Sequence, residues 1–103
     1  MAQSKENPST IILITQEGMG SADHELQRRL LKSYLHLLLD SKTLPNAICF
    51  YTDGVKLLVE GSPVLEELKA LEAQGVHLIA CSTCLNYFGL VDKVQVGIVG
   101  GMA

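Results

Sequence analysis

Four short apolar runs, spaced so that one crossover helix fits between neighbours, most constrain this fold. They are TIILIT at residues 10–15, AICFY at 47–51, VHLIA at 76–80 and KVQVGIV at 93–99. Near-continuous apolar runs of this length suit parallel strands buried on both faces. Between the first two, Leu26, Leu30, Leu31, Tyr34, Leu35 and Leu38 fall on one helical stripe over residues 23–40, with Ser21 or Asp23 as N-cap. Leu37 and Leu39 lie off that stripe and offer apolar surface for a subunit contact. The next helix opens with Ser62 as N-cap and Pro63 in its first turn, and carries Glu66 and Glu67 where the dipole favours them. It buries Val64, Leu65, Leu68 and Leu71 and stops at Gly75. Residues 55–60 (VKLLVE) read as a helical turn in preference to a strand. The alternation β-α-β-α-β-α-β predicts an α/β fold, an open parallel sheet in the order 2-1-3-4 with helices on both faces.

The chain has 103 residues, 48% of them hydrophobic, enough for one domain with its own core. Residues 1–9 are polar and aperiodic and read as a disordered lead, leaving 10–103 as a single domain. The chain stops soon after the fourth run, where such a sheet expects another helix, so either that helix is missing or a neighbouring subunit covers the sheet. A formal charge of −3 and eight Lys plus Arg give no basic footprint for nucleic acid. Arg28, Arg29 and Lys32 cluster on one predicted helix beside Glu25, as a solvated face does. No run approaches the ~20 apolar residues of a membrane span. Three cysteines and no signal peptide point to a reducing compartment, the cytoplasm.

Chemistry concentrates where the third strand should end. Cys81 and Cys84 form a C-x-x-C at an expected strand-to-helix junction, where free N–H groups and the helix dipole stabilise a thiolate. Cys81 reads as the reactive thiol, with Cys84 near enough to react with it or tune it. In the expected topology the carboxyl ends of the strands converge. They bring the loop of Gly18 and Gly20, the turn at Asp53-Gly54 and the residues Ser82, Thr83, Asn86 and Tyr87 around that sulfur. The loop lacks a dinucleotide-binding glycine pattern, so turn chemistry accounts for its glycines. Asp53 suits a turn as well as a hydrogen bond to the cysteine loop. His24 suits exposed surface as well as a thiolate neighbour. Cys49, inside the second run, reads as an inert apolar filler.

With these residues in view, the chain from 11 to 102 resembles the DsrE-like family, especially the DsrE-like domain of YedF-type proteins linked to selenium metabolism. The matching pieces are YTDGVKLLVEGSPVLEELKALEAQGV at 51–76, CSTCLNYFGL at 81–90, Val96-Gly97 and Met102. The resemblance implies a flavodoxin-like three-layer fold, oligomerisation as a dimer, trimer or hexamer, and in sulfur-relay members a cysteine that carries sulfur as a persulfide. Cys81 matches the relay cysteine. YedF-type chains usually read C-G-T-C where this one has Ser82, and N-M where it has Gly101-Met102. They often carry a TusA-like sulfur-carrier domain in front, which a separate partner would supply here.

In such a relay the Cys81 thiolate attacks the outer sulfur of a donor persulfide, and an acceptor thiolate later removes it. If Cys84 attacked the inner sulfur, a disulfide would form and sulfide would leave. The rival readings are a dithiol redox protein cycling Cys81 and Cys84, and an assembly domain with buried cysteines. Zinc would need ligands that the scattered His24, His36 and His77 do not supply in any recognisable spacing. No cofactor or metal is expected.

Overall fold

Three of the four apolar runs become strands nearly where expected, and the fourth is displaced. In this computed structural model, which describes residues 10–41 and 44–100, β1 is Ile11–Ile14, α1 His24–Asp40, β2 Ala47–Phe50, α2 Leu65–Ala73, β3 His77–Cys81, α3 Ser82–Phe88 and β4 Ile98–Gly100. The lead at 1–9 and the Gly101-Met102 position lie outside the described residues. Short 3-10 helices occupy Thr52–Leu58, as the helical-turn reading of that segment expects, and Val91–Lys93. The start of the fourth run is therefore not strand. Val94 instead makes an isolated antiparallel bridge with Val59, Val96 is buried, and Gly97, at φ +85°, sits close against the Leu78 carbonyl.

All the strand pairs are parallel: Ile12 lies opposite Ile48, Ile48 opposite Leu78, and Ile79 opposite Ile98. The α/β class and the open parallel sheet agree with the expectation, but the described strands run in the order 1-2-3-4, not 2-1-3-4. The first crossover brings β2 directly beside β1, where Asn46 N–H donates to the Thr10 carbonyl (2.8 Å) and Tyr51 N–H to the Ile14 carbonyl (3.0 Å). Without a reversal of direction, crossovers of one hand lay successive helices on the same face. Ile14, Ile48, Phe50, Leu78 and Ala80 accordingly form one buried cluster with Leu31 and Leu35 of α1, Leu68 and Leu71 of α2 and Leu85 of α3. On the opposite face Ile11, Leu13 and Ile98 are each 59% exposed, and Cys49 and Ile79 are half-buried. Among the described residues the helices thus cover one face of the sheet, which departs from the expected three layers.

Local signals hold where they depend on neighbours in sequence. Asp23 caps α1 by accepting the Glu25 N–H at 3.1 Å. Gly75, at φ +97°, closes α2 with the Gly75 to Glu72 and Val76 to Leu71 backbone bonds of a left-handed C-cap. Gly89 does the same for α3 through Leu90 N–H to the Leu85 carbonyl. Ser62 accepts the Val64 N–H, but the helix itself begins at Leu65. Of the expected α1 stripe only Leu31 and Leu35 are fully buried, while Leu26 and Leu30 stay about half exposed. The space between α1 and α2 holds instead a buried carboxylate, Glu67, 3.0 Å from His36 Nε2 and 3.8 Å from Lys32 Nζ.

Candidate functional site

The carboxyl ends of the first three strands meet through one residue, Thr52. Its backbone is left-handed, φ +49°, and it is the one described non-glycine residue with a positive φ. That conformation is uncommon for a β-branched side chain and must be held by its surroundings. The Thr52 hydroxyl lies 2.6 Å from the Thr15 carbonyl oxygen after β1 and 2.8 Å from that of Tyr51 after β2. Its N–H donates to Cys84 Sγ at 3.1 Å, beyond β3. Gly54 permits this approach, because a Cβ there would collide with the Ile14 carbonyl.

Cys81 ends β3 and stands as N-cap residue of α3, with φ −66° and ψ 120°. It is only 3% exposed, and Cys84, on the first turn of α3, is half-buried. The backbone N–H of Cys84 pulls the Cys81 pKa below the ordinary thiol value. Burial opposes this, and the Cys84 thiol and the Thr83 N–H and hydroxyl assist it. Hydrogen bonding to the thiolate is thus what lowers the pKa. Cys84 moves the other way. The Thr52 N–H favours its thiolate, but burial, donation of its proton to Cys81 and repulsion from a Cys81 thiolate together push its pKa up. The two shifts place the first negative charge of the pair on Cys81. Alkylation in steps of pH is expected to show two macroscopic titrations, the first below ~8.5 and the second above it. A single step at the ordinary thiol value would contradict this coupling.

Of the other expected site residues, Asn86 Nδ2 donates to the Ser82 carbonyl at 3.0 Å and braces α3. Tyr87 is 85% exposed and packs edge-on against Phe88. Asp53 does not serve the cysteine loop by any described bond; it pairs with Lys56 at 2.9 Å. That hydrogen bond raises the Lys56 pKa. Gly18 and Gly20 line a different cavity of about 210 Å³ between β1, their own loop and α1. Gly18 is pressed against Gln27 there, where a Cβ would collide with the Gln27 backbone. His24 and Asp53 share a cavity of about 130 Å³ with Arg28. Thr52, Lys56 and Phe88 are functional candidates that the sequence reading missed. Lys56 Nζ lies 4.4 Å from the Phe88 ring centroid, beside a groove of about 390 Å³ that Glu17 and Arg28 also line. Among the described residues no three His, Cys, Asp or Glu side chains are grouped to hold a metal ion.

This is an open-sheet α/β domain with a coupled thiol pair at the carboxyl edge. The family model described as the DsrE/DsrF-like family matches residues 11–103, and the chain belongs to that family. A solved structure of a protein of unknown function, MTH1491 from Methanobacterium thermoautotrophicum, is similar to it with a TM-score of 0.66 and 26% identity, over 88% of this chain and 79% of the other. The chain is also 29% identical over 91 residues to adenylosuccinate synthetase of Legionella pneumophila strain Paris, and 28% to that of strain Lens. Each alignment takes in 82% of this chain. The chain spans about a fifth of the length of those curated relatives, 21% in each case. No described helix is long and apolar enough to cross a membrane.

Proposed function

We propose that this domain relays sulfur, or selenium, by carrying it as a persulfide on Cys81 and passing it to a partner thiol. The observation that supports this most is the coupled pair itself: a sulfur held toward its thiolate beside a second, more open thiol at the carboxyl edge of the sheet. Persulfide exchange asks for a low-pKa thiol and little other machinery. Membership of the DsrE/DsrF-like family favours the same chemistry, and the cysteine motif favours the YedF-type branch within it. A TusA-like carrier is the natural donor or acceptor, in a reducing compartment such as the cytoplasm. The test is incubation with a persulfide donor followed by site-resolved mass spectrometry, where the wild type gains ~32 Da on Cys81; an adduct that leaves Cys81 unmodified contradicts the reading.

Cycling of the two thiols through a disulfide is the competing reading and rests on the same proximity. It is favoured if thiol oxidants convert the pair while persulfide donors leave no adduct.

The domain acts as a homo-oligomer. The exposed apolar row Leu13 and Ile98, continued by half-buried Cys49 and Ile79, supports burial of this sheet face against another copy. Sedimentation is expected to give a multiple of 11.2 kDa for the wild type and a shift toward the single chain for Leu13→Lys. A monomeric wild type contradicts it.

A further inference from the structure

The unequal burial of the two thiols divides their work, on the reading that this site relays sulfur. We propose that Cys84 is the port through which sulfur enters and leaves, that Cys81 is the seat on which it rests, and that Thr52 is the positioning residue that aims the port. Cys81 is 3% exposed, so a donor sulfur that must approach in line has no open path to it. Cys84 is half-buried, and its thiol faces the Cys81 sulfur. Phe88 lies one helical turn beyond Cys84 on the same side of α3, and borders the groove of about 390 Å³ where Lys56 sits. A donor chain seated in that groove against Phe88 would lie one helical turn from Cys84.

The hand-over needs no oxidant. Cys84 gives its proton to Cys81 and, as thiolate, attacks the outer sulfur of a donor persulfide R–S–SH. A new S–S bond forms, the old one breaks, and R–S⁻ leaves, giving Cys84–S–SH. Cys81 then loses its proton to solvent and attacks the outer sulfur of Cys84–S–SH. The electron pair of that S–S bond passes to Cys84 Sγ, which recovers a proton from solvent, and the product is Cys81–S–SH. The net change is one sulfur moved from donor to Cys81 with R–S⁻ released. Thr52 bears on the second step, because its N–H, 3.1 Å from Cys84 Sγ, meets the negative charge that develops on the leaving sulfur. Its unusual backbone, pinned by its hydroxyl near the Thr15 and Tyr51 carbonyl oxygens, keeps that N–H aimed.

The test treats the purified full-length chain with glutathione persulfide and, in parallel, with oxidised glutathione, then quenches at intervals and maps each cysteine by mass spectrometry. Cys84→Ser is expected to load Cys81 at least about tenfold more slowly than the wild type, and Cys81→Ser to trap sulfur on Cys84. With oxidised glutathione the first mixed disulfide forms on Cys84, and Cys81→Ser retains it. Thr52→Val, which disfavours the left-handed backbone, slows the move from Cys84 to Cys81, whereas Thr52→Asn, which tolerates it, preserves the rate; circular dichroism confirms that each variant is folded. Loading of Cys81 in Cys84→Ser at the wild-type rate with either reagent overturns the port assignment. Equal slowing in Thr52→Val and Thr52→Asn overturns the role of Thr52. If neither cysteine takes up sulfur but oxidised glutathione still enters at Cys84, the order of the thiols stands and the relay reading is what fails.

Discussion

Cys81→Ser is expected to lower the sulfur resting at residue 81 by at least about a hundredfold, leaving it on Cys84 and the domain folded, because an alcohol at this position stays protonated and forms no persulfide. The substitution is close to isosteric, and a hydroxyl still offers an acceptor to the N–H groups of Thr83 and Cys84 that face this position. The loss is therefore one of chemistry and not of architecture. Cys49→Ser, on the open face of the sheet between Leu13 and Ile79, is the matching control and should load Cys81 as the wild type does. A wild-type chain that holds its sulfur elsewhere than on Cys81 would move the reaction to another residue.

The second large effect concerns the platform. Phe50 is 0% exposed at the end of β2 and packs in the cluster that joins all three helices to the sheet. Phe50→Ala is expected to destabilise the domain by about 3 to 5 kcal/mol, from lost transfer energy and the cavity left behind. That is a large share of the roughly 5 to 15 kcal/mol of a typical domain. Because Tyr51 and Thr52 follow directly, the same change should loosen the hold on Cys84 before the chain unfolds. Tyr87→Ala removes an aromatic of similar size that is 85% exposed, and is expected to stay within about 0.5 kcal/mol of the wild type. Denaturant titration of both variants checks the contrast; equal midpoints would mean that the core is not organised around this face of β2.

The sequence makes some of this legible and hides the rest for physical reasons. The Asp23 cap, the Gly75 and Gly89 stops and the apolar runs of the first three strands are local, and neighbours within a few residues decide them. Strand order is not local. Apolar runs such as TIILIT read the same whether a sheet is covered on both faces or on one, and only the placing of β2 directly beside β1 distinguishes them. The fourth strand was misplaced for a related reason: KVQVGIV alternates like a strand, but its first half bonds to Leu58 and Val59 instead of to the sheet. At the site, the C-x-x-C spacing identifies the thiol pair, yet nothing in it says which sulfur is covered. Thr52 was invisible as a site residue, since a β-branched side chain gives no sign of a left-handed backbone. Only the meeting of three strand ends, with Gly54 against Ile14, reveals why it is bent that way.

The measurement closest to the central claim is peptide-resolved mass spectrometry of the wild-type chain after long incubation with a persulfide donor and removal of the excess. A single added sulfur of ~32 Da on the side chain of Cys81 is the predicted result. Sulfur resting on Cys84 or Cys49, or on no cysteine at all, contradicts the account.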